Sequence, residues 1–200
     1  MRTRLQKWPV IFAALCTLPL SLSASAQWTL DNSLSRLSFV SVKSTDIGEV
    51  HKFTQLKGQF DADGKLEVKV DLFSVDTLIP IRTERVKQYL FNVEQYPIAV
   101  IRANLDAGAL RELAFGQVKF IDVAGTLTLK ENTIEFTTEV LASKVGDDTL
   151  FVTTAQPIMM TATALGLSEG IDKLRELAGL PSISQAVPIT FALTFRQNDQ

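Results

Sequence analysis

Val75–Pro97, VDTLIPIRTERVKQYLFNVEQYP, changes character three times within one short segment. Val75–Thr77 ends a strand-like run. Leu78-Ile79-Pro80-Ile81 is an apolar crossover, and Pro80 keeps Ile79 out of helical geometry. From Thr83 the pattern predicts a short helix: Thr83 can cap it, and Val86, Tyr89 and Leu90 share one face at i, i+3, i+4. Tyr96-Pro97 closes the segment before strands resume. A dense apolar insertion of this kind, set in a chain of alternating strands, either plugs the end of a packed β-core or gates an apolar cavity.

The flanking segments alternate with period two. Leu66, Val68, Val70 and Leu72 oppose Lys65, Glu67, Lys69 and Asp71. Leu127 and Leu129 oppose Thr126, Thr128 and Lys130. Ile134, Phe136, Thr138 and Val140 oppose Thr133, Glu135, Thr137 and Glu139. Val187, Ile189, Phe191, Leu193 and Phe195 oppose Thr190, Ala192, Thr194 and Arg196. Each reads as a strand with one dry and one wet face. Asp61-Ala62-Asp63-Gly64 and Glu131-Asn132 fall between such runs and read as hairpin turns. Arg36–Lys43, Ile98–Asp106, Phe115–Val123 and Leu150–Leu165 carry apolar residues on both faces, as strands covered outside by a helix or by a partner would.

A second helix is signposted by Ser168 as cap, Glu169 in the first turn, and Ile171, Leu174 and Leu177 as an apolar stripe. Gly179 and Pro181 end it. Its stripe is narrow, which places it on the outside of the sheet. About eight antiparallel strands with two short helices fit a closed barrel or a sandwich. Periodicity does not choose between them.

The chain opens with a targeting pattern. Arg2, Arg4 and Lys7 precede a mostly apolar run from Val10 to Leu22, and Ala24-Ser25-Ala26 is an A-x-A cleavage site. Residues 1–26 are therefore expected to be a cleaved signal peptide, with a mature domain over 27–200 exported to the periplasm. The apolar run is too short for stable membrane insertion. Cleavage removes Cys16, the one cysteine, so the core alone must hold the mature fold. Without Arg2, Arg4 and Lys7, 17 of the 20 basic residues remain against 22 acidic ones, a net charge of about −5. That balance argues against nucleic acid and against electrostatic adhesion to anionic lipid.

Catalytic constellations are sparse. His51 is the single histidine, too few for a His-rich metal site or a recognisable triad. A hydrogen-bonded or solvent-facing structural role suits it. Asp61-x-Asp63-Gly64 begins like a calcium loop but lacks the later ligands at EF-hand spacing. Arg82, Glu84, Arg85 and Lys87 form a mixed charge cluster, either a solvated helix face or a polar rim at a cavity mouth. Twelve phenylalanines against two tyrosines and two tryptophans bring apolar area without polar handles, as a dry core or a lipid-lined tunnel requires.

Asp71, Ser74-Val75-Asp76-Thr77, Arg82, Leu90-Phe91-Asn92 and Tyr96-Pro97 together resemble the signature of the YceI-like family of bacterial periplasmic lipid-binding proteins. The resemblance runs from about Trp28 to Phe195. Two positions depart from it: Arg85 and Asn32 stand where the family tends to carry histidine. The resemblance implies an all-β, lipocalin-like eight-stranded antiparallel barrel whose interior holds a polyisoprenoid or similar lipid. It implies a binding protein rather than an enzyme, with no cofactor beyond a bound polyisoprenoid or quinone as ligand. Phe39, Phe53, Phe136 and Phe191 on the strands, with Leu78, Ile79, Leu90 and Phe91 in the insertion, are the expected ligand-binding residues. Two rivals stand beside the carrier. One is a barrel-cavity enzyme acting on an apolar substrate through His51 or a buried carboxylate. The other is a structural module with a filled core, using its two-sided strands to bind a partner or form a homodimer.

Overall fold

The computed structural model describes residues 27–198. The signal peptide expected over residues 1–26, with its cleavage site, lies outside the described residues. Twelve strand segments follow: β1 (Trp28–Leu30), β2 (Arg36–Lys43), β3 (Ile47–Phe53), β4 (Leu56–Phe60), β5 (Lys65–Asp71), β6 (Val75–Asp76), β7 (Ile98–Asn104), β8 (Val118–Leu129), β9 (Asn132–Lys144), β10 (Thr149–Thr154), β11 (Ile158–Thr161) and β12 (Ala186–Gln197). They join into a ring in which every pairing is antiparallel: β1–β4–β5–β7–β8–β9–β10–β12 and back to β1.

The ring contains eight strands because four of the segments continue others. β1 and β2 both lie along the same edge of β12, β3 prolongs β4, β6 prolongs β5, and β11 prolongs β10 on the other edge of β12. The result is an eight-stranded up-and-down antiparallel barrel, the lipocalin-like architecture expected. Leu150–Leu165, which reads as one strand in the sequence, is two segments broken at Ala155-Gln156-Pro157 and followed by a turn.

Three neighbouring strands bend at the same level, and side chains stitch the bends together. Asn32 donates to the Thr54 carbonyl (3.1 Å) and accepts from the Leu56 amide (2.6 Å). Asp71 accepts from the Phe73 amide (2.9 Å), capping a short 3-10 turn over Leu72–Ser74. The Ser74 hydroxyl donates to the Asp71 carbonyl (2.6 Å) and accepts from the Thr54 and Gln55 amides. The Asp-x-x-Ser spacing is thus the device that satisfies backbone groups where the sheet is interrupted. At the third bend, the buried Ser35 hydroxyl accepts from the Thr194 amide across the barrel seam (3.0 Å).

Of the two expected hairpin turns, Asp61–Gly64 forms as read, while the other lies one residue earlier than Glu131-Asn132, at Lys130-Glu131, where Lys130 takes φ +55° and Leu129 pairs with Asn132. Asp61 accepts from the amides of Asp63 and Lys65, and Gly64 takes φ +85°. This is an Asx-type hairpin turn, with its carboxylate spent on backbone.

Among the described residues three short α-helices decorate the barrel: α1 (Pro80–Arg85), α2 (Ala107–Arg111) and α3 (Ser168–Ala178). α2 has no counterpart among the two helices expected from the sequence. Asp106 caps it through the Ala109 amide (2.9 Å), and it covers one end of the barrel with Ala109, Leu110 and Leu113.

Helix α1 begins at Pro80, earlier than Thr83. Proline fits the first helical position, where no amide partner is needed. Thr83 serves a different purpose, accepting from the Thr77 amide (3.1 Å). α1 runs directly into a π-helical turn over Val86–Phe91, which ends at Asn92 in left-handed conformation. In a π-turn each residue rotates less than in an α-helix. Val86, Leu90 and Phe91 therefore all face inward and Tyr89 is left outside, instead of the Val86–Tyr89–Leu90 face that α-periodicity predicts.

The outer residues of β8 are bare. Val118 and Phe120, with Phe115 just before them, are more than half exposed, and no helix among the described residues covers them.

Candidate ligand cavity

The barrel interior divides into a filled half and a hollow half. Around α2 the interior is packed by Phe60, Ile121, Val140, Leu150, Leu193 and Phe195. Trp28 stacks on Phe60 at 5.5 Å, and Phe60 meets Phe195 edge-on at 5.2 Å. Only a void of about 60 Å³ remains there. Phe191 borders both halves and forms the floor between them.

Above Phe191 lies a cavity of about 270 Å³ with an almost wholly apolar wall. Leu37, Phe39, Phe53, Leu127, Phe136 and Ile189 contribute from the strands. Phe39, Phe53 and Phe91 form one aromatic cluster, with ring centroids 5.6 to 6.3 Å apart.

Two helical pieces close this end. From one side come Val86, Leu90 and Phe91 of the π-turn; from the other come Ile171, Leu174 and Ala178 of α3. The sequence places α3 outside the sheet because its stripe is narrow. In the structure Ile171 and Leu174 of that stripe, joined by Ala178, face the cavity while Leu177 does not border it, and so narrow a face suffices because the helix only roofs a barrel mouth. Ser168 does not cap it: Leu167 occupies the cap position, and the Ser168 hydroxyl donates to Thr163 (3.1 Å). Gly179 ends it in left-handed conformation, as expected.

The two roof pieces touch at Gly170. A Cβ built there would lie 2.7 Å from the Tyr89 carbonyl oxygen and 2.9 Å from the Leu90 Cα. Arg85 adds a tie, donating to the Leu177 carbonyl (3.1 Å). Gly170→Ala should therefore destabilise the fold by roughly 1 to 3 kcal/mol through overpacking. This reverses the roughly 1 kcal/mol gain that alanine gives in an open helix. A thermal midpoint unchanged or raised in the variant would refute the close approach.

Of the residues singled out in the sequence, Phe39, Phe53, Leu90, Phe91, Phe136 and Phe191 all border this cavity. Leu78 and Ile79 do not. Leu78 is 74% exposed and Ile79 45% exposed. The physical reason is a polar knot beside them. Thr77 is fully buried, and its hydroxyl bonds that of Thr83 at 2.9 Å. Arg82 donates to the Thr77 carbonyl, and Asp76 accepts from the Leu78 amide (2.8 Å). Satisfying these groups turns Leu78 to φ +65° and throws the crossover outward.

Sequence reasoning passed over a polar ladder on one wall. β2 and β3 pair with Leu37 opposite Phe53, Phe39 opposite His51, and Ser41 opposite Glu49. These residues share the inward face, so the wall grades from apolar at depth to polar at the roofed end. The Ser41 hydroxyl and His51 Nε2 are hydrogen-bonded at 2.8 Å. Glu49 accepts from Lys43 (2.9 Å) and pairs with Arg82 (2.5 Å). His51 is buried, and burial first, then the Arg82 cation, pushes its imidazole down to about 4. The i, i+2 spacing of Glu49, His51 and Phe53 held the signal, once the strand phase was known.

This geometry is that of a lipocalin-like closed barrel holding an apolar cavity beneath a helical roof. Residues 28–195 match the YceI-like domain, and the chain belongs to that family. A polyisoprenoid-binding domain from Saccharophagus degradans implicated in plant cell wall breakdown is similar at 33% identity and TM-score 0.83. The alignment covers 86% of this chain and 98% of that one. BcnA of Burkholderia cenocepacia shares the fold at 20% identity and TM-score 0.64, over 82% of this chain and 98% of its own. A YCEI protein of Campylobacter jejuni shares it at 12% identity and TM-score 0.52, over 75% and 85% of the two chains. No curated protein matches the chain.

Proposed function

We propose that the protein binds a long-chain isoprenoid or related lipid, quinone-like in form, and carries it in the periplasm. The observation that carries this reading is the hollow, apolar half of a barrel whose other half is filled. A protein built only for stability would fill both. In this reading Phe39, Phe53, Phe136 and Phe191 contact the chain of the ligand from the strands, and Leu90 and Phe91 from the roof. The polyisoprenoid-binding description of the Saccharophagus degradans relative supports the ligand class. The leader pattern over residues 1–26 supports export. At roughly 0.8 kcal/mol per buried CH₂, ten tail carbons supply about 8 kcal/mol before ordering costs.

The enzymatic alternative falls behind on geometry. Ser41 and His51 are hydrogen-bonded, but among the described residues no carboxylate orients the second ring nitrogen, and Glu49 is held by Lys43 and Arg82. Such a pair lacks the third member that aligns a base. Protein purified from its native periplasm, extracted with organic solvent and analysed by mass spectrometry, should yield an isoprenoid near one per protein. An extract without apolar ligand, together with no uptake of added quinone or polyprenyl lipid, would sink the carrier reading.

A further inference from the structure

Two buried polar atoms at the roofed end of the cavity have no partner among the described residues: His51 Nδ1 and Arg82 Nε. Both side chains border the cavity, and His51 is 5% exposed. An orphaned buried polar atom is costly, so such atoms stand where something is meant to meet them. The rest of each group is already engaged. His51 Nε2 is taken by Ser41. The terminal nitrogens of Arg82 are taken by Glu49 and the Thr77 carbonyl. Glu49 and His51 are two residues apart on β3, so the Arg82 head lies about one pleat repeat, roughly 7 Å, from the imidazole. The charged side chains bordering the cavity are Lys43, Arg82 and Arg85 against Glu49, an excess of cations. Below this level the wall is Phe39, Leu37 and Phe53.

We infer that His51, positioned by Ser41 and flanked by Arg82, is a hydrogen-bonding station for an oxygen on the head group of the ligand. The ligand lies with its head under α1 and its tail toward Phe191. This rests on the carrier reading above and adds orientation and head-group selection to it. With the Ser41 hydroxyl as donor to Nε2, the imidazole carries its proton on Nδ1, so His51 Nδ1–H and Arg82 Nε–H are two buried donors without partners at this end of the cavity. Two donors amid surplus positive charge suit an acceptor oxygen: a carbonyl, a hydroxyl or a phosphate. They do not suit a cationic head, which Arg82 and Lys43 would repel.

The test compares four C20 probes of the same prenyl chain: the hydrocarbon, the alcohol, the monophosphate and the amine. Binding is measured by displacement of a fluorescent fatty-acid analogue. The variants are His51→Phe, which keeps a ring of similar volume beside Phe39, and Ser41→Ala. The wild type should prefer an oxygen-bearing probe over the hydrocarbon by about three- to tenfold, the range of one net hydrogen bond. The amine should bind no better than the hydrocarbon. His51→Phe should erase the preference for the oxygen-bearing probes over the hydrocarbon, and Ser41→Ala should reduce it. A preference for the phosphate over the alcohol would mark an anionic head, and equal binding of the two a neutral one; either supports the station. An undiminished preference in His51→Phe, no preference in the wild type, or a preference for the amine would overturn it. If no probe binds at all, including the hydrocarbon, the carrier reading itself fails. Circular dichroism of each variant confirms that the comparison is made between folded proteins.

Discussion

The protein should lose on the order of 3 kcal/mol of stability as pH falls from about 6.5 to about 4, and His51→Phe should remove most of that loss. The native imidazole is pushed down to about 4 from the ordinary 6.5, by burial first and by the Arg82 cation second. The unfolded chain therefore takes up a proton near 6.5 that the folded chain refuses until about 4. Between these values the unfolded state binds more protons, so stability rises with pH. The contribution of the neutral histidine is complete above the unfolded value and disappears as pH drops through the window.

Groups facing the ring from each packed element enter the same balance. Arg82 of α1 and Lys43 of β2 depress its protonation, while Glu49 of β3 and Asp76 of β6 favour it. The Glu49 and Asp76 carboxyls are themselves held below their ordinary 4.5 and 3.8. They therefore act mainly beneath the histidine window. Denaturant midpoints at about pH 7.5 and about pH 4.5 check the expectation. Equal acid losses in wild type and His51→Phe would show that the imidazole is not buried neutral.

Much of the barrel is legible in the sequence because its strands have one wet face. The period-two runs at 65–72, 127–129, 134–140 and 187–195 each point the expected residues inward, Thr138 included. The runs carrying apolar residues on both sides were harder. For β2 the phase is set by pairing with β3 and not by its own pattern, since Val40 and Val42 are as apolar as Leu37 and Phe39. The roof was half legible. Leu90 and Phe91 turn inward together only because the chain forms a π-turn, which no α-helical period describes. Leu78 and Ile79 read as cavity residues by hydropathy alone. Their placement is decided by the buried Thr77 and its polar partners, a tertiary requirement that hydropathy does not register. The cavity is the least legible feature. The same phenylalanines could fill a core, and whether they leave space depends on distances across the barrel.

Phe91→Ala is expected to cost about 3 to 5 kcal/mol of stability, as buried aromatic truncations do, and to release bound ligand faster. The ring is 4% exposed. It lies 5.7 Å from Phe53 and 6.3 Å from Phe39, and it hangs from the π-turn over the cavity. Removing it deletes the contact through which the roof grips the strands, and it extends an existing void instead of opening an isolated one. The neighbouring wall cannot collapse into that space without dragging the closed sheet, so the cost should fall at the upper part of the range. Phe91→Leu restores most of the volume and should recover more than half of the loss. Leu78→Ala is the matched control from the same segment. Its side chain is 74% exposed, so the change should stay within about 0.5 kcal/mol and leave ligand release untouched. Denaturant titration of the delipidated proteins gives the stability arm, and transfer of a fluorescent prenyl probe to acceptor vesicles gives the release arm. A Phe91→Ala protein that loses less than about 1 kcal/mol would show that the ring is not part of the core. A release rate equal to that of wild type would show that the π-turn does not retain the ligand, and retention would then rest on α3.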